Sequence, residues 1–310
     1  MRRYVGRESL DPATFRGPVA TIGVFDGLHR GHAHVIEHLR SFADRIQGEA
    51  VVVTFDTHPL AVIRGVPPRN ILSTEHRLVL LERLGIDAAV VLPFDDTMRH
   101  MPYDTFVREI LVQGIGIRGL LFGYNSTFGH RGEGTPSAVA TIGVELGFEV
   151  VEAPAIHLEG QPISSTRIRD SIEAGDFTEA AHMLGRPHSV FGTVVRGDGR
   201  GRQLGFPTAN IDLGGEITPP AGVYQVIVML RDQRRVAVAN LGYRPTFDGG
   251  KDGMPKAPIL EVHIPGVDFE FYGERVEVEF VRKIRDERKF PRKEALLAQI
   301  RDDVASLGLS

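Results

Sequence analysis

The first part of the chain alternates between two hydrophobic patterns. Short apolar runs, typical of buried strands, are separated by stretches such as 35–42 and 78–84, in which apolar residues recur every three or four positions. Strands that alternate with helices predict a parallel sheet covered on both faces, with ligands bound beyond the carboxyl ends of the strands. The predicted strands are 19–24, 50–55, 88–92, 120–123 and 149–152.

Beyond Arg186 the pattern changes to short strands separated by glycine, proline and aspartate. In the run 275–281, apolar residues alternate with glutamates, which indicates a half-buried antiparallel strand. After Pro291, apolar residues at helical spacing predict a closing amphipathic helix. We therefore expect an α/β domain with a parallel sheet over 1–186, followed by an antiparallel β-barrel domain with a C-terminal helix over 187–310. The predicted barrel strands are 189–195, 222–230, 236–241, 259–264 and 275–281.

Composition narrows the possible functions. The 310 residues are enough for two domains, each with its own core. The net charge of -4 argues against a general nucleic-acid or membrane-surface binder. The absence of cysteine excludes disulfides, thiolate zinc sites and cysteine nucleophiles. The N-terminal residues lack the apolar stretch of a signal peptide, and the longest apolar runs are too short to cross a bilayer, so we expect a cytoplasmic protein.

The sequence GVFDGLHRGH lies between the first predicted strand and the first predicted helix. Asp26 and Gly27 form a turn, and Gly31 lets the backbone approach a ligand. A helix N-terminus at this turn favours phosphate, but it contributes only about 0.3 to 1 kcal/mol per charge. His29 and His32 supply the further donors that a polyphosphate requires.

A histidine-only metal site is the alternative interpretation of this region. His34 and His38 follow on one face of the predicted helix, so four histidines lie within ten positions. However, no glutamate completes an HExxH pattern, and a metal site gives Gly31 no role. Phosphate is therefore favoured over zinc, and His34 and His38 are expected on a solvated face.

A second motif with phosphate-binding character, PISSTRIR, follows the last predicted parallel strand. Its hydroxyls, Ser164, Ser165 and Thr166, fall at another helix N-terminus, with Arg167 and Arg169 alongside. Alone, this pattern is typical of an ordinary N-cap. Together with the first motif, it predicts two helix ends that hold one triphosphate from opposite sides.

Residues 114–119 match GxGxxG, but they follow a predicted helix and lead into a strand. This order is the reverse of that in the dinucleotide-binding motif, so a dinucleotide-binding site is rejected here. The Walker pattern of P-loop nucleotide-binding proteins is absent as well.

These motifs resemble those of a known family, the bacterial bifunctional riboflavin kinase/FMN adenylyltransferases, also called FAD synthetases. The first part carries GVFDGLHRGH, TFDTHP, FGYNSTFG and PISSTRIR, and the second carries GRGRQLGFPTANI, NLGYRPTF and LEVHI. The resemblance covers nearly the whole chain in the order of the family. The HxGH motif alone is weak support for the resemblance, because other nucleotidyltransferases and class I aminoacyl-tRNA synthetases share it. The GFPTAN motif with a downstream glutamate is specific to this family.

For the first part, the resemblance implies a nucleotidyltransferase-like fold that transfers AMP from ATP to FMN, giving FAD and pyrophosphate. His29 and His32 would stabilise the displaced phosphates. A departure at Thr57, where the family usually has proline, leaves the role of the adjacent His58 open. Phe106 is a weaker flavin-stacking candidate than Phe128 and is more typical of a core aromatic. The implied binding residues are Gly23, Phe25, Asp26, Gly31, Asn125, Phe128, Ser164, Ser165, Thr166 and Arg169.

For the second part, the resemblance implies phosphorylation of riboflavin by ATP. Thr208 and Asn210 lie two residues apart and offer a hydroxyl and a carbonyl oxygen, the hard ligands that Mg²⁺ prefers. Glu261 would deprotonate the ribityl 5′-hydroxyl. The other residues implied in this site are Gly205, Pro207 and Arg285, with a phosphate-covering loop of glycines 197, 199 and 201 and arginines 200 and 202.

The expected partners are therefore small molecules, namely ATP, riboflavin and FMN, rather than nucleic acid or membrane. The main alternative is a single-function nucleotidyltransferase that acts on another phosphorylated small molecule and carries a non-catalytic barrel. It leaves GFPTAN and Glu261 unexplained. A barrel that binds nucleic acid is a further alternative. A synthetase-like enzyme would need a KMSKS-type loop and a basic surface, and neither is evident.

Overall fold

The computed structural model describes residues 1–158, 161–197, 201, 205–230, 233–243, 258–267 and 271–308. The chain forms two compact units. The sheet unit contains Met1–Asn70 and Thr74–Ser165, and the barrel unit contains Ile71–Ser73 and Thr166–Ser310. The boundary after residue 186, predicted from the sequence to separate two functional domains, stays a prediction.

Six parallel strands form the sheet unit, which confirms the predicted α/β class. The strands are β1 (Arg2–Val5), β2 (Val19–Ile22), β3 (Ala50–Phe55), β4 (Ala88–Leu92), β5 (Gly119–Phe122) and β6 (Glu149–Glu152). Their order is β1-β4-β3-β2-β5-β6. Every residue of β3 and β4 is buried, as expected for strands covered on both faces. The edge strand β1 was not predicted, because it is polar and mostly exposed.

Helices connect these strands. They are α1 (Arg30–Arg45), α2 (Pro59–Arg64), α3 (Thr74–Arg83), α4 (Asp96–His100), α5 (Tyr103–Thr105) with its continuation as a π-helix (Phe106–Ile115), and α6 (Pro136–Leu146). Short 3₁₀ turns lie at Arg7–Ser9, Pro12–Thr14 and His130–Gly132, and a small hairpin pairs β7 (His157–Leu158) with β8 (Gln161–Pro162). The helix α1 packs on the sheet through Ile36, Leu39 and Phe42. The π-helix leads directly into β5, so the GxGxxG match does have the helix-to-strand order that was predicted.

The barrel unit confirms the predicted second architecture. Two helices, α7 (Ser165–Ala174) and α8 (Phe177–Leu184), precede it. Its strands are β9 (Ser189–Val195), β10 (Ala209–Asp212), β11 (Gly222–Leu230), β12 (Gln233–Tyr243), β13 (Pro258–His263) and β14 (Arg275–Arg285), followed by α9 (Lys293–Ala305). They close in the order β10-β13-β12-β11-β14-β9, and all neighbouring pairs are antiparallel.

The helices that precede and follow the barrel, α8 and α9, contact it through specific side chains. Phe177 of α8 packs against Tyr224 and Phe280, with ring centroids 5.8 Å from each. At the other end, the Arg285 guanidinium on β14 forms a bidentate pair with Asp303 of α9, and Asp303 is only 3% exposed. The closing helix is therefore held by a buried ion pair as well as by its apolar face.

A buried carboxylate explains why three residues of the connection before α3 belong to the barrel unit. Glu216 is 1% exposed and accepts backbone N–H hydrogen bonds from Ser73, at 2.8 Å, and from Phe191, at 2.9 Å. Both carboxylate oxygens are thereby satisfied.

Within the described ranges, no helix combines the length and the apolar character needed to cross a membrane.

Candidate active sites

A cavity of about 270 Å³ lies in the sheet unit at the carboxyl ends of β2 and β5. The sequence predicted a ligand site at this edge of the sheet. Residues of two distant motifs meet there, since Ser165 donates a hydrogen bond to the backbone carbonyl of Asp26 at 2.9 Å. The predicted residues that line the cavity are Gly23, Phe25, Asp26, His32 and Ser165.

His29 is the N-cap of α1. Its Nδ1 atom accepts a hydrogen bond from the backbone N–H of His32 at 3.3 Å, and the two imidazoles stack with centroids 3.7 Å apart. A Cβ atom at Gly31 would lie 3.1 Å from the His29 ring, so the glycine makes room for this ring. His32 lines the cavity, whereas His29 orients the helix end behind it.

The turn before α1 has an unusual backbone. Phe25, Gly27 and Leu28 have φ angles of +51°, +87° and +41°, in the left-handed region that only glycine adopts without cost. Phe25 is 4% exposed, and its ring lies 5.3 Å from that of His32. Its side chain therefore supports the turn and His32, and its predicted contact with nucleotide stays a prediction.

Two polar atoms around this cavity are buried without a hydrogen-bond partner: Nδ1 of His32 and Oγ1 of Thr21. Burial, with added repulsion from His29 and from the Arg77 cation, holds the pKa of His32 well below its ordinary value. The imidazole is therefore neutral at physiological pH. Thr21 was missed by sequence reasoning, although a lone hydroxyl within the apolar run VATIGV is a signal that could have found it.

Arg77 of α3 is a second residue that the sequence did not reveal. It is 5% exposed and donates hydrogen bonds to the carbonyls of Val24 and Phe55, the latter at 2.9 Å. Burial lowers its pKa to about 10, against the opposing attraction of Asp26 and Asp56. It therefore remains a cation at neutral pH beneath the turn.

The other predicted residues of this half lie on nearby loops or on α7. Asn125 is exposed and has a φ of +53°. Phe128 is half-buried against Phe122 and Phe106, and Phe106 is a core residue at 3% exposure. Ser164 precedes α7, Thr166 is exposed on its first turn and Arg169 follows within the helix. Roles of these side chains in ligand binding remain predictions.

In the barrel unit, strand pairing brings the predicted kinase residues together. Asn210 on β10 lies directly opposite Glu261 on β13, and Asn240 on β12 lies opposite Glu261 on its other side. Side chains of directly opposed residues project from the same face with Cβ atoms roughly 5 Å apart. Asn240 belongs to the quoted NLGYRPTF motif but was not predicted as a site residue.

The predicted metal ligands are covered by two glycines. The Oδ1 atom of Asn210 is buried and has no hydrogen-bond partner. A Cβ atom at Gly197 would lie 1.9 Å from Nδ2 of Asn210, and one at Gly201 would lie 2.9 Å from Oγ1 of Thr208. A hard carbonyl oxygen is therefore present without a partner, and Gly197 and Gly201 permit close approach of the backbone to Asn210 and Thr208.

His263 holds the segment that leads into Thr208. Its Nδ1 atom lies 2.8 Å from the carbonyl oxygen of Pro207, and its ring packs edge-on against Phe206. Gly205 has a φ of +80°, which explains the glycine at this bend. Sequence reasoning missed His263, although its position two residues after Glu261 puts both on one face of β13.

Arg285 was predicted to contact flavin, and its guanidinium is engaged by Asp303 on α9. A flavin contact for it stays a prediction. The predicted loop residues 199, 200 and 202 lie outside the described residues.

The histidines near α1 form two separate pairs. His38 Nδ1 lies 3.0 Å from the backbone carbonyl of His34, and these two rings contact each other edge-on. In the part of the chain that the structure describes, no three His, Asp or Glu side chains are grouped as metal ligands.

Comparison with known proteins covers both halves. The family model described as FAD synthetase matches residues 11–167, and the one described as riboflavin kinase matches residues 184–308. Proteins named bifunctional riboflavin kinase/FMN adenylyltransferase are similar along nearly their full length. The one from Haemophilus influenzae is 36% identical, covering 93% of this chain and 92% of its own. The one from Pseudomonas fluorescens is 37% identical, covering 99% and 96%, and the one from Bacillus subtilis is 32% identical, covering 92% and 90%.

A crystal structure of a protein named as a macrolide-efflux protein from Streptococcus pneumoniae is also similar. It has a TM-score of 0.82 and 28% identity, and the match covers 100% of both chains. This likeness extends over the parallel sheet and the barrel, while the efflux name is that protein's own. Because the two family models follow one another along the chain and the relatives match it almost end to end, this chain belongs to the family of bifunctional riboflavin kinase/FMN adenylyltransferases.

Proposed function

We propose that the two activities of the family are divided between the units: riboflavin is phosphorylated on the barrel, and the FMN so formed is adenylylated at the sheet cavity. The observation that carries this proposal is the opposition of Asn210 and Glu261 across β10 and β13. A non-catalytic barrel requires no carboxylate beside a partnerless carbonyl oxygen. On this basis the functional domains are 1–186 and 187–310.

At the sheet cavity, a phosphate oxygen of FMN attacks the α-phosphorus of ATP, and pyrophosphate leaves. Negative charge grows on the departing phosphates, so donors aimed at them lower the barrier. The N-terminus of α1 supplies backbone N–H groups, and His32 supplies an imidazole hydrogen bond. His29 holds His32 in place through its stacked ring and its cap bond.

The remaining contacts of this site are assigned by chemistry. Ser165 anchors the start of α7 to the turn, so Ser164 and Thr166 are suited to bind phosphate oxygens there, and Arg169 to pair with their charge. Asn125, an exposed loop residue with a positive φ, is suited to hold the nucleotide, and Phe128 offers a partly exposed ring for stacking.

On the barrel, the 5′-hydroxyl of riboflavin attacks the γ-phosphorus of ATP, and ADP leaves. Glu261 accepts the hydroxyl proton, a role typically worth about 10²- to 10⁴-fold in rate. Thr208 and Asn210 would hold Mg²⁺, which when bound neutralises charge on the ATP phosphates. The partnerless Oδ1 of Asn210 fits this role. Pro207, held by His263, sets the position of Thr208.

The proposal extends to setting and partners. We expect a cytoplasmic enzyme that acts on small molecules alone, because the net charge of -4 offers no general attraction for nucleic acid or anionic membrane. The single-function alternative gives no reason for a riboflavin kinase match over residues 184–308.

The test is chromatography of flavins after incubation of the full chain with riboflavin, ATP and Mg²⁺. We expect FMN to appear first and FAD to follow, with neither formed when EDTA is added. A chain that converts supplied FMN to FAD but leaves riboflavin untouched would support the single-function alternative instead.

A further inference from the structure

We propose that Arg77 is a positioning residue for adenylyl transfer: its buried guanidinium holds the ends of β2 and β3 together beneath the phosphate-binding turn. This inference rests on the proposed function of the sheet cavity. Arg77 itself does not line that cavity, so it acts through the backbone and through His32.

The hydrogen bonds of Arg77 reach two strand ends at once. Nη1 donates to the carbonyl of Val24, two residues after β2, and Nη2 donates to the carbonyl of Phe55, the last residue of β3. Nη2 also lies 3.1 Å from Oγ1 of Thr74 at the start of α3. One rigid, planar group on α3 therefore links the ends of two neighbouring strands.

The carbonyl of Val24 is where this link matters most. It immediately precedes Phe25, which has a φ of +51°, and the turn continues through Gly27 and Leu28 with two more positive φ angles. A strained backbone of this kind persists only where surrounding contacts hold it. Besides Arg77, the hydroxyl of Thr54 donates to the same carbonyl, at 3.3 Å. The stronger of the two donors is the charged one.

The location of the charge is a second reason to assign Arg77 a role beyond packing. Its side chain lies within electrostatic reach of Asp26, which lines the cavity, and of His32, whose protonation it opposes. A permanent cation beneath the turn attracts polyphosphate, while His32 remains a neutral hydrogen-bonding group. Burial of an arginine is costly, and Nε of Arg77 has no hydrogen-bond partner, so the bonds to the Val24 and Phe55 carbonyls are what the guanidinium contributes here.

The expected kinetic signature follows from this arrangement. A turn that loses its anchor still admits ATP and FMN, but it misplaces the α1 N-terminus and His32 relative to the departing pyrophosphate. A displacement of about 1 Å is enough to cost roughly 10²-fold in rate. The loss should therefore fall on kcat, while KM for FMN and for ATP changes little.

The experiment compares Arg77→Met, Arg77→Lys and the matched control Arg83→Met, which makes the same change at an exposed residue of α3. FMN adenylylation and riboflavin phosphorylation are measured on each preparation of the full chain. We expect Arg77→Met to lose about 10²-fold in kcat for adenylylation. Arg77→Lys, which keeps the charge but not the fork, should recover part of that loss. Phosphorylation and the control should match the wild type.

Three results would overturn the inference: full adenylylation kcat in Arg77→Met, a loss confined to KM, or a loss no larger than the fraction of misfolded protein found by circular dichroism. If Arg77→Met fails to fold, Arg77→Lys decides, because wild-type kcat in that variant would show that the forked guanidinium is dispensable and would overturn the inference. Failure of the proposed function is distinguishable, since the wild-type chain would then form no FAD from FMN.

Discussion

The two units assemble their sites by different means. In the sheet unit, the residues come from loops at the ends of separate strands and from helix N-termini, and they meet at a strained turn. In the barrel unit, Asn210 and Glu261 oppose each other through the register of paired strands. A site on loops needs internal anchors, whereas a site on paired strands is fixed by the backbone ladder. Substitutions should therefore act on each unit separately and for different physical reasons.

The largest expected effect separates the units completely. Glu261→Gln keeps the size of the side chain but removes the proton acceptor, so we expect riboflavin phosphorylation to fall by about 10²- to 10⁴-fold. Adenylylation of supplied FMN should be unchanged, and separate assays of the two steps measure this. Glu279→Gln on β14 is a suitable control, because that carboxylate pairs with Arg234 away from the site. Equal loss of both activities would contradict the division of labour.

The reciprocal change tests the sheet unit. His32→Ala removes one preorganised donor to the departing phosphates, and we expect adenylylation to fall by about 10²- to 10³-fold. Phosphorylation of riboflavin should stay at the wild-type rate in the same preparation. His38→Ala, six residues further along α1, should alter neither activity. A comparable decline of the kinase step in His32→Ala would refute the assignment.

A smaller effect tests whether the barrel site depends on close packing of its loop. Gly197→Ala puts a Cβ atom against the Asn210 amide, so we expect the kcat/KM for phosphorylation to fall by roughly tenfold to a hundredfold. In a titration with Mg²⁺, half-maximal phosphorylation should need a higher Mg²⁺ concentration than in the wild type. Gly214→Asn is the control, since Gly214 has open space around it and a φ of +57° that asparagine tolerates. Wild-type kinetics in Gly197→Ala would mean that Asn210 is not confined.

The smallest effect concerns acid stability of the sheet unit. The folded-state pKa of His32 lies well below the ordinary value of 6.5. As the pH falls below 6.5, the unfolded chain binds a proton that the folded chain does not, so stability decreases by up to about 1.4 kcal/mol per pH unit until the folded-state pKa is reached. Hydrogen exchange of α1 amides between pH 7.5 and 5.5 measures this. His32→Gln should flatten the dependence, and His38→Gln should not; identical profiles would disprove it.

The bounds of β3, β4, β6, β9 and β11 were predicted as the structure has them, whereas β1 and β10 were not predicted. The bounds of β3 and β4 were predicted correctly, because strands buried on both faces read as continuous apolar runs. In contrast, β1 was missed because its side chains are mostly exposed and its register with β4 rests on backbone hydrogen bonds. Side-chain pattern alone cannot reveal a strand of that kind.

The candidate sites follow the same division. Motifs with unusual residue types, such as the two histidines around Gly31, could be found by eye. Arg77 could not, because its acceptors are main-chain carbonyls that no motif displays. The engagement of Arg285 was equally hidden, since its partner Asp303 lies on a different element and at no characteristic spacing. Sequence reasoning finds groups that could touch a ligand more readily than groups that support them.

The boundary between the units has a consequence for attempts to express them separately. Ile71–Ser73 belong with the barrel, although the residues on either side of them belong with the sheet. A fragment that starts after Ser165 would lack Ile71–Ser73 and with them the backbone N–H that Ser73 donates to the buried carboxylate of Glu216. Such a truncated kinase should have a lower free energy of unfolding than the intact chain. Because the barrel unit is discontinuous in sequence, no single truncation point yields both units complete.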